Sequence, residues 1–146
     1  MMPILALIFG FLAASGALLL QVLVSIFIPF APTGATPLPV IIGAAAIEEW
    51  AKLVFLIQLG RRSVETITIS HAILFGIGFV IAEIALLSLS AHALPALPVL
   101  GSIAGIQLMG TLIIYTALRL KESFPLAWLF GLLAAILLHT LYNSSL

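Results

Sequence analysis

The chain has 146 residues, 64% of them hydrophobic and 7% charged, with a mean hydropathy of +1.37 and no net charge. A water-soluble domain of this size cannot cover its surface with so few charges, so the composition points to an all-α, polytopic membrane bundle forming a single domain over residues 1–146. The neutral balance argues against a nucleic-acid or strongly acidic partner, and the absence of cysteine removes disulfides, thiol nucleophiles and thiolate metal sites.

Five apolar runs are predicted to be transmembrane helices. The first covers residues 3–30 and needs tilt to fit a bilayer. It lacks a basic flank and is too long for a cleaved secretory signal, so it is expected to remain part of the protein. Residues 31–37, rich in Pro, Gly and Thr, break the chain before a second run at 38–59. Gly60-Arg61-Arg62-Ser63 closes that run, and the third spans about 66–90. A loop with His92, Pro95 and Pro98 leads to the fourth, 99–118. Arg119-Leu120-Lys121-Glu122-Ser123 precedes the fifth, 124–142. In the fourth run, Gly101 and Gly105 have a small-xxx-small spacing that reads as helix packing.

Arg61, Arg62, Arg119 and Lys121 all fall in the second and fourth loops. The positive-inside rule then places those loops and the N-terminus in the cytoplasm, and the C-terminus outside.

The second run carries Ile47-Glu48-Glu49-Trp50-Ala51-Lys52. Three charges thus stand near the middle of a bilayer-length helix, where each costs at least ~2.5–3.5 kcal/mol unless paired, neutralised or hydrated. With a rise of about 1.5 Å per residue, Glu48 lies about 15 Å below the outer end of its helix and Glu83 about 10 Å. Gln107 lies about 12 Å below it, and His139 about 8 Å from the outer surface. Polar groups from four helices therefore share one slab between the midplane and the outer face, which argues for a polar chamber opening outward.

Glu48 and Glu49 stand i,i+4 and i,i+3 from Lys52, so the lysine can neutralise one of them. The other is suited to take and return a proton as a general base. His139 and Asn143, also i,i+4, can present hydrogen-bond donors to a developing oxyanion. Phe75 and Phe79 are expected to pack the helix that carries Glu83, and Trp50 to pack or face lipid. His71 is expected to be structural, His92 to lie in the outer loop, and Glu65 and Glu122 to be interfacial or solvated.

From Glu48 to Asn143 the chain resembles the PrsW family of intramembrane proteases, related to the type II CAAX prenyl proteases and bacteriocin-processing proteins. Three motifs carry the resemblance: Glu48-Glu49-Trp50-Ala51-Lys52; Phe75-Gly76-Ile77-Gly78-Phe79-Val80-Ile81-Ala82-Glu83; and His139-Thr140-Leu141-Tyr142-Asn143. The resemblance implies an endopeptidase that hydrolyses a peptide bond of a membrane protein. Glu48 would activate water, Glu49 and Lys52 would tune it, Glu83 would assist, and His139 with Asn143 would hold the oxyanion. A metal-free site is expected; were zinc present, Glu48, Glu83 and His139 would be its ligands. The family's usual further histidine has no counterpart, and Gln107 is the only polar residue in that region.

Two other functions fit the same residues. Glu48, Glu49, Lys52 and Glu83 could form the relay of a small proton- or cation-coupled carrier. A catalytically inactive relative could serve as a membrane binding module.

Overall fold

The computed structural model describes residues 2–27, 36–63 and 66–145. These form five α-helices and no strand: α1 (Met2–Ser25), α2 (Leu38–Arg62), α3 (Ile69–Ala91), α4 (Leu97–Leu120) and α5 (Ala127–Ser144). Residues 28–30, expected to end the first helix, lie outside the described residues, as do most of the first loop and Glu65. α1, α3, α4 and α5 are each long and apolar enough to cross a membrane. α2 is as long, at 25 residues, but carries Glu48, Glu49 and Lys52 at its centre and Arg61 and Arg62 at its end.

The helix ends follow local chemistry. α2 and α4 each take a proline in the first turn, Pro39 and Pro98, where no intrahelical N–H is needed. α4 therefore begins two residues before the expected 99. α2 runs past 59 through Gly60, and Arg61 and Arg62 complement the negative end of its dipole. α3 starts from Thr68, whose backbone N–H donates to Nδ1 of His71 at 3.2 Å in a capping box. His71 is thus structural, as expected. His92 ends α3 in the left-handed region, at φ 54°. The fifth helix begins at Ala127 rather than 124, because residues 121–126 form turns around Pro125.

The helices form a closed circuit. α1 packs on α2 and α3, α4 on α3 and α5, and α5 returns to α2, which also touches α4. The contacts use small residues, as helix association in lipid requires. A Cβ on Gly10 would strike the Phe75 carbonyl, and one on Gly78 would strike that of Leu7. Two residues away, Gly76 faces Leu108 and Thr111 of α4, so α3 is wedged between α1 and α4. Phe75 and Phe79 are buried in that wedge, as expected. Gly101 and Gly105 differ from the expectation: a Cβ at either position would have no described neighbour within 4 Å. The close-packed glycines are instead Gly10, Gly76, Gly78, Gly110 and Gly131. The outer faces carry exposed Ile, Leu, Val and Phe, which suits contact with acyl chains.

Candidate active site

The centre of the bundle is polar. Glu49, Lys52, Gln107 and Thr111 expose no surface, and His139 exposes 2%. Lys52 Nζ donates to Glu49 Oε1 at 2.6 Å, so the lysine pairs with the i,i+3 glutamate. The same oxygen lies 2.8 Å from His139 Nδ1. A paired carboxylate only accepts, so Nδ1 is the donor. The Lys52 ammonium also sits 4.7 Å from the Phe79 ring centre, a cation–π contact that helps offset its burial. The backbone of α4 reaches this ion pair through Gly110. A Cβ there would lie 2.8 Å from Glu49 Oε2 and 3.2 Å from Lys52 Nζ.

Glu48 points another way. Its side chain is 17% exposed and makes no ion pair with Lys52. Oε1 accepts from the Gln21 amide of α1 at 2.9 Å, and Oε2 accepts from the Gln107 amide of α4 at 3.1 Å. His139 Nε2 stands 3.6 Å from Oε2. The Gln107 amide also donates to Glu83 Oε2 of α3, at 2.6 Å. One amide therefore bridges two carboxylates from different helices. Thr111 steadies that turn of α4 by donating to the Gln107 carbonyl at 2.8 Å.

Glu48 and Glu83 line one cavity of about 350 Å³ between α1, α2 and α3. Gln21 and Phe79 share its wall, Ala14 and Ala17 form the α1 side, and Ser90 stands at its far end, the last turn of α3. The cavity thus extends towards the α2 start and α3 end, the side expected to face outward. A second, mostly apolar groove of about 340 Å³ between α1 and α2 also ends on Gln21.

Six of the seven residues singled out in the sequence are brought together: Glu48, Glu49, Lys52, Glu83, Gln107 and His139. His139 lies behind Glu48 and is not part of the cavity wall. Asn143 is half-buried one turn further along α5, and no hydrogen bond joins it to the cluster. The expected pairing of His139 with Asn143 as two donors facing a substrate is therefore not seen. Its neighbour Tyr142 instead bonds Ser102 of α4 at 2.8 Å.

Gln21, like Thr111 and Gly110, is a member of the site that the sequence does not single out. It is a lone amide in an apolar helix and lies outside the three motifs; only its depth in the first run places it near the same slab. Among the described residues, no group of three or more His, Asp or Glu side chains is gathered to hold a metal ion. The zinc set of Glu48, Glu83 and His139 does not fit this arrangement, because the Gln107 amide stands between the two carboxylates. Comparison with protein-family models, curated proteins and solved structures finds no match to this chain.

Proposed function

We propose that this protein is an intramembrane endopeptidase of the PrsW type, which hydrolyses a peptide bond of a membrane protein with a water activated by glutamate. One observation carries the reading: carboxylates from α2 and α3 share a single amide donor and line one cavity within the bundle. A paired acid and base at such a site is what hydrolysis of an amide needs.

Glu48 is the base. Its two oxygens are oriented by Gln21 and Gln107, and it is the more exposed of the two motif glutamates. It accepts a proton from water as the oxygen attacks the scissile carbonyl. Glu83 enters as the acid and gives its proton to the departing nitrogen. The C–N bond breaks, leaving a carboxyl and an amine product, and cavity water returns the proton from Glu48 to Glu83. Gln21 is the donor placed in the cavity wall for the oxyanion. Its N–H leaves Glu48 as that group gains a proton. His139, fixed through Nδ1 by Glu49 and Lys52, supports Glu48 from behind. The positive-inside bias supports a multi-pass orientation with the N-terminus cytoplasmic and the cavity opening outward.

The test is cleavage of membrane-protein substrates by the purified chain in liposomes. Glu48→Gln and Glu83→Gln should each lower the rate by roughly 10²–10⁴-fold with the fold intact. Cleavage that persists in both variants would remove the two carboxylates from the reaction.

A second reading has one observation in its favour. Lys52, Glu49, His139 and Glu48 form a continuous line with steps of 2.6, 2.8 and 3.6 Å, suited to passing a proton in a small coupled carrier. It predicts pH-driven flux in the same liposomes and no cleavage. Binding of a membrane protein that survives Glu48→Gln, with neither cleavage nor flux, would mark an inactive binding module.

A further inference from the structure

The opposite end of the bundle holds a second polar site. A cavity of about 520 Å³ lies where α2 ends, α3 begins and α4 ends. Arg61, Arg119 and Lys121 line it, with Tyr115 on its wall and Glu122 as the lone carboxylate among its described lining residues. None of the three cations forms an ion pair with a described side chain. Among the described residues, three positive charges therefore converge on one concave surface against one negative charge, at the depth where the apolar helices give way to loops.

The basic cavity continues into an apolar one. A groove of about 600 Å³ shares Ile57, Leu118, Lys121 and Glu122 with it and runs on along Val54, Trp50 and Trp128. Trp50 precedes Arg61 by eleven positions on α2, so cavity and groove together extend about 16 Å along the helix. Its open side is apolar: Trp50 is 50% exposed and Val54 40%. A ligand with an anionic head and a long apolar tail matches both halves. A free anion would leave the groove unfilled, and a neutral lipid would leave the cations unmatched.

We propose that this cavity and groove bind an anionic phospholipid, its phosphate on Arg61, Arg119 and Lys121 and one acyl chain along Val54, Trp50 and Trp128. Basic pockets at the ends of transmembrane helices hold such headgroups by charge-assisted hydrogen bonds, and Trp128, in the first turn of α5, stands at the headgroup level where tryptophan is enriched. The site lies on the face of α2 away from the Glu48 cavity and does not depend on the reaction carried out there.

The two tryptophans of the chain are Trp50 and Trp128, and both line the groove, so their fluorescence reports on it alone. The full chain is reconstituted in phosphatidylcholine vesicles containing a minor fraction of acyl-brominated phosphatidylglycerol, and the converse mixture serves as reference. Brominated phosphatidylglycerol is expected to quench at a several-fold lower mole fraction than brominated phosphatidylcholine. Each cation should contribute up to about fivefold to that preference. Arg61→Gln with Arg119→Gln and Lys121→Gln should abolish it while leaving quenching by brominated phosphatidylcholine unchanged. Arg62→Gln, whose guanidinium lies over Phe9, should retain it. Should the triple variant fail to fold, Arg61→Gln and Lys121→Gln singly carry the same comparison.

Equal quenching by the two lipids in the native chain, or a preference untouched by the substitutions, overturns the proposal. Relief of quenching by inorganic phosphate, beyond that given by chloride at equal ionic strength, would assign the cations to a free anion and overturn it as well.

Discussion

Lys52 Nζ lies 2.6 Å from Glu49 Oε1, and neither side chain exposes any surface. This pair is the floor of the site: Glu49 orients His139, and His139 stands behind Glu48. A buried ion pair is a poor source of stability in itself, but removing one member strands the other charge. Lys52→Met should therefore destabilise the bundle by about 3–5 kcal/mol. Adding Glu49→Gln should recover part of that loss. Equilibrium unfolding in mixed micelles, arranged as a double-mutant cycle, measures the coupling. A cycle with no coupling would show that the two groups are not paired in the folded protein.

Gly110 is needed because the ion pair lies directly beneath it. A methyl group at that position would stand closer to Glu49 Oε2 and Lys52 Nζ than van der Waals contact allows. Gly110→Ala should destabilise by about 1–3 kcal/mol, the usual cost of overpacking. Gly105→Ala, on the same helix with open space around it, is the control and should be neutral or slightly stabilising through helix propensity. Thermal unfolding of the two variants side by side decides between packing and a general intolerance of α4 to substitution.

The shared amide of Gln107 makes a different prediction. Gln107→Leu keeps the volume but removes the donor that joins Glu48 to Glu83. Under the proposed reaction it should lower the cleavage rate by roughly 10²-fold, as loss of a positioned donor does elsewhere. It should also destabilise the fold by about 1–3 kcal/mol, because Glu83 Oε2 loses its donor, an effect that loss of the orphaned Oε1 of Gln107 only partly offsets. A rate equal to that of the native chain would mean that the bridge is incidental to the chemistry.

Much of this site can be read from the sequence because burial in lipid is so costly to charge. Glu48, Glu49, Lys52 and Glu83 stand out in apolar runs, and counting helical rise alone puts Glu48, Glu83, Gln107 and His139 at one depth. The structure joins those four through contacts of 2.6 to 3.6 Å. Other features rest on rotation about the helix axis, which depth does not report. Both Glu48 and Glu49 have a favourable spacing from Lys52, and only side-chain direction decides for Glu49. The same ambiguity sets His139 with Asn143 in front of a substrate, whereas α5 turns the imidazole inward and leaves Asn143 outside the cluster. It also assigns the small-residue packing role to Gly101 and Gly105, while the tight crossings fall at Gly10 and Gly78. Gln21 escapes notice for another reason: an uncharged amide costs less in lipid, and this one matches no motif.

That residue separates positioning from stability most directly. Gln21 donates to Glu48 Oε1 at 2.9 Å and to the Ala44 carbonyl at 3.2 Å, and it lines both the polar cavity and the apolar groove beside it. Gln21→Leu would leave Glu48 with one oriented oxygen instead of two and remove the donor assigned to the oxyanion. Interhelical hydrogen bonds in membranes are worth about 0.6 kcal/mol on average, so the fold should hardly change. The rate should fall by about 10²–10³-fold, as when an oxyanion donor is removed. Gln21→Asn, with an amide one methylene shorter, should restore little, because α1 cannot advance towards α2 without giving up its close contacts with α3 at Gly10 and Gly78. Comparing kcat and KM for the two variants separates the roles. A fall in kcat alone places Gln21 at the reacting carbonyl, and a rise in KM alone would confine it to substrate binding at the mouth of the groove.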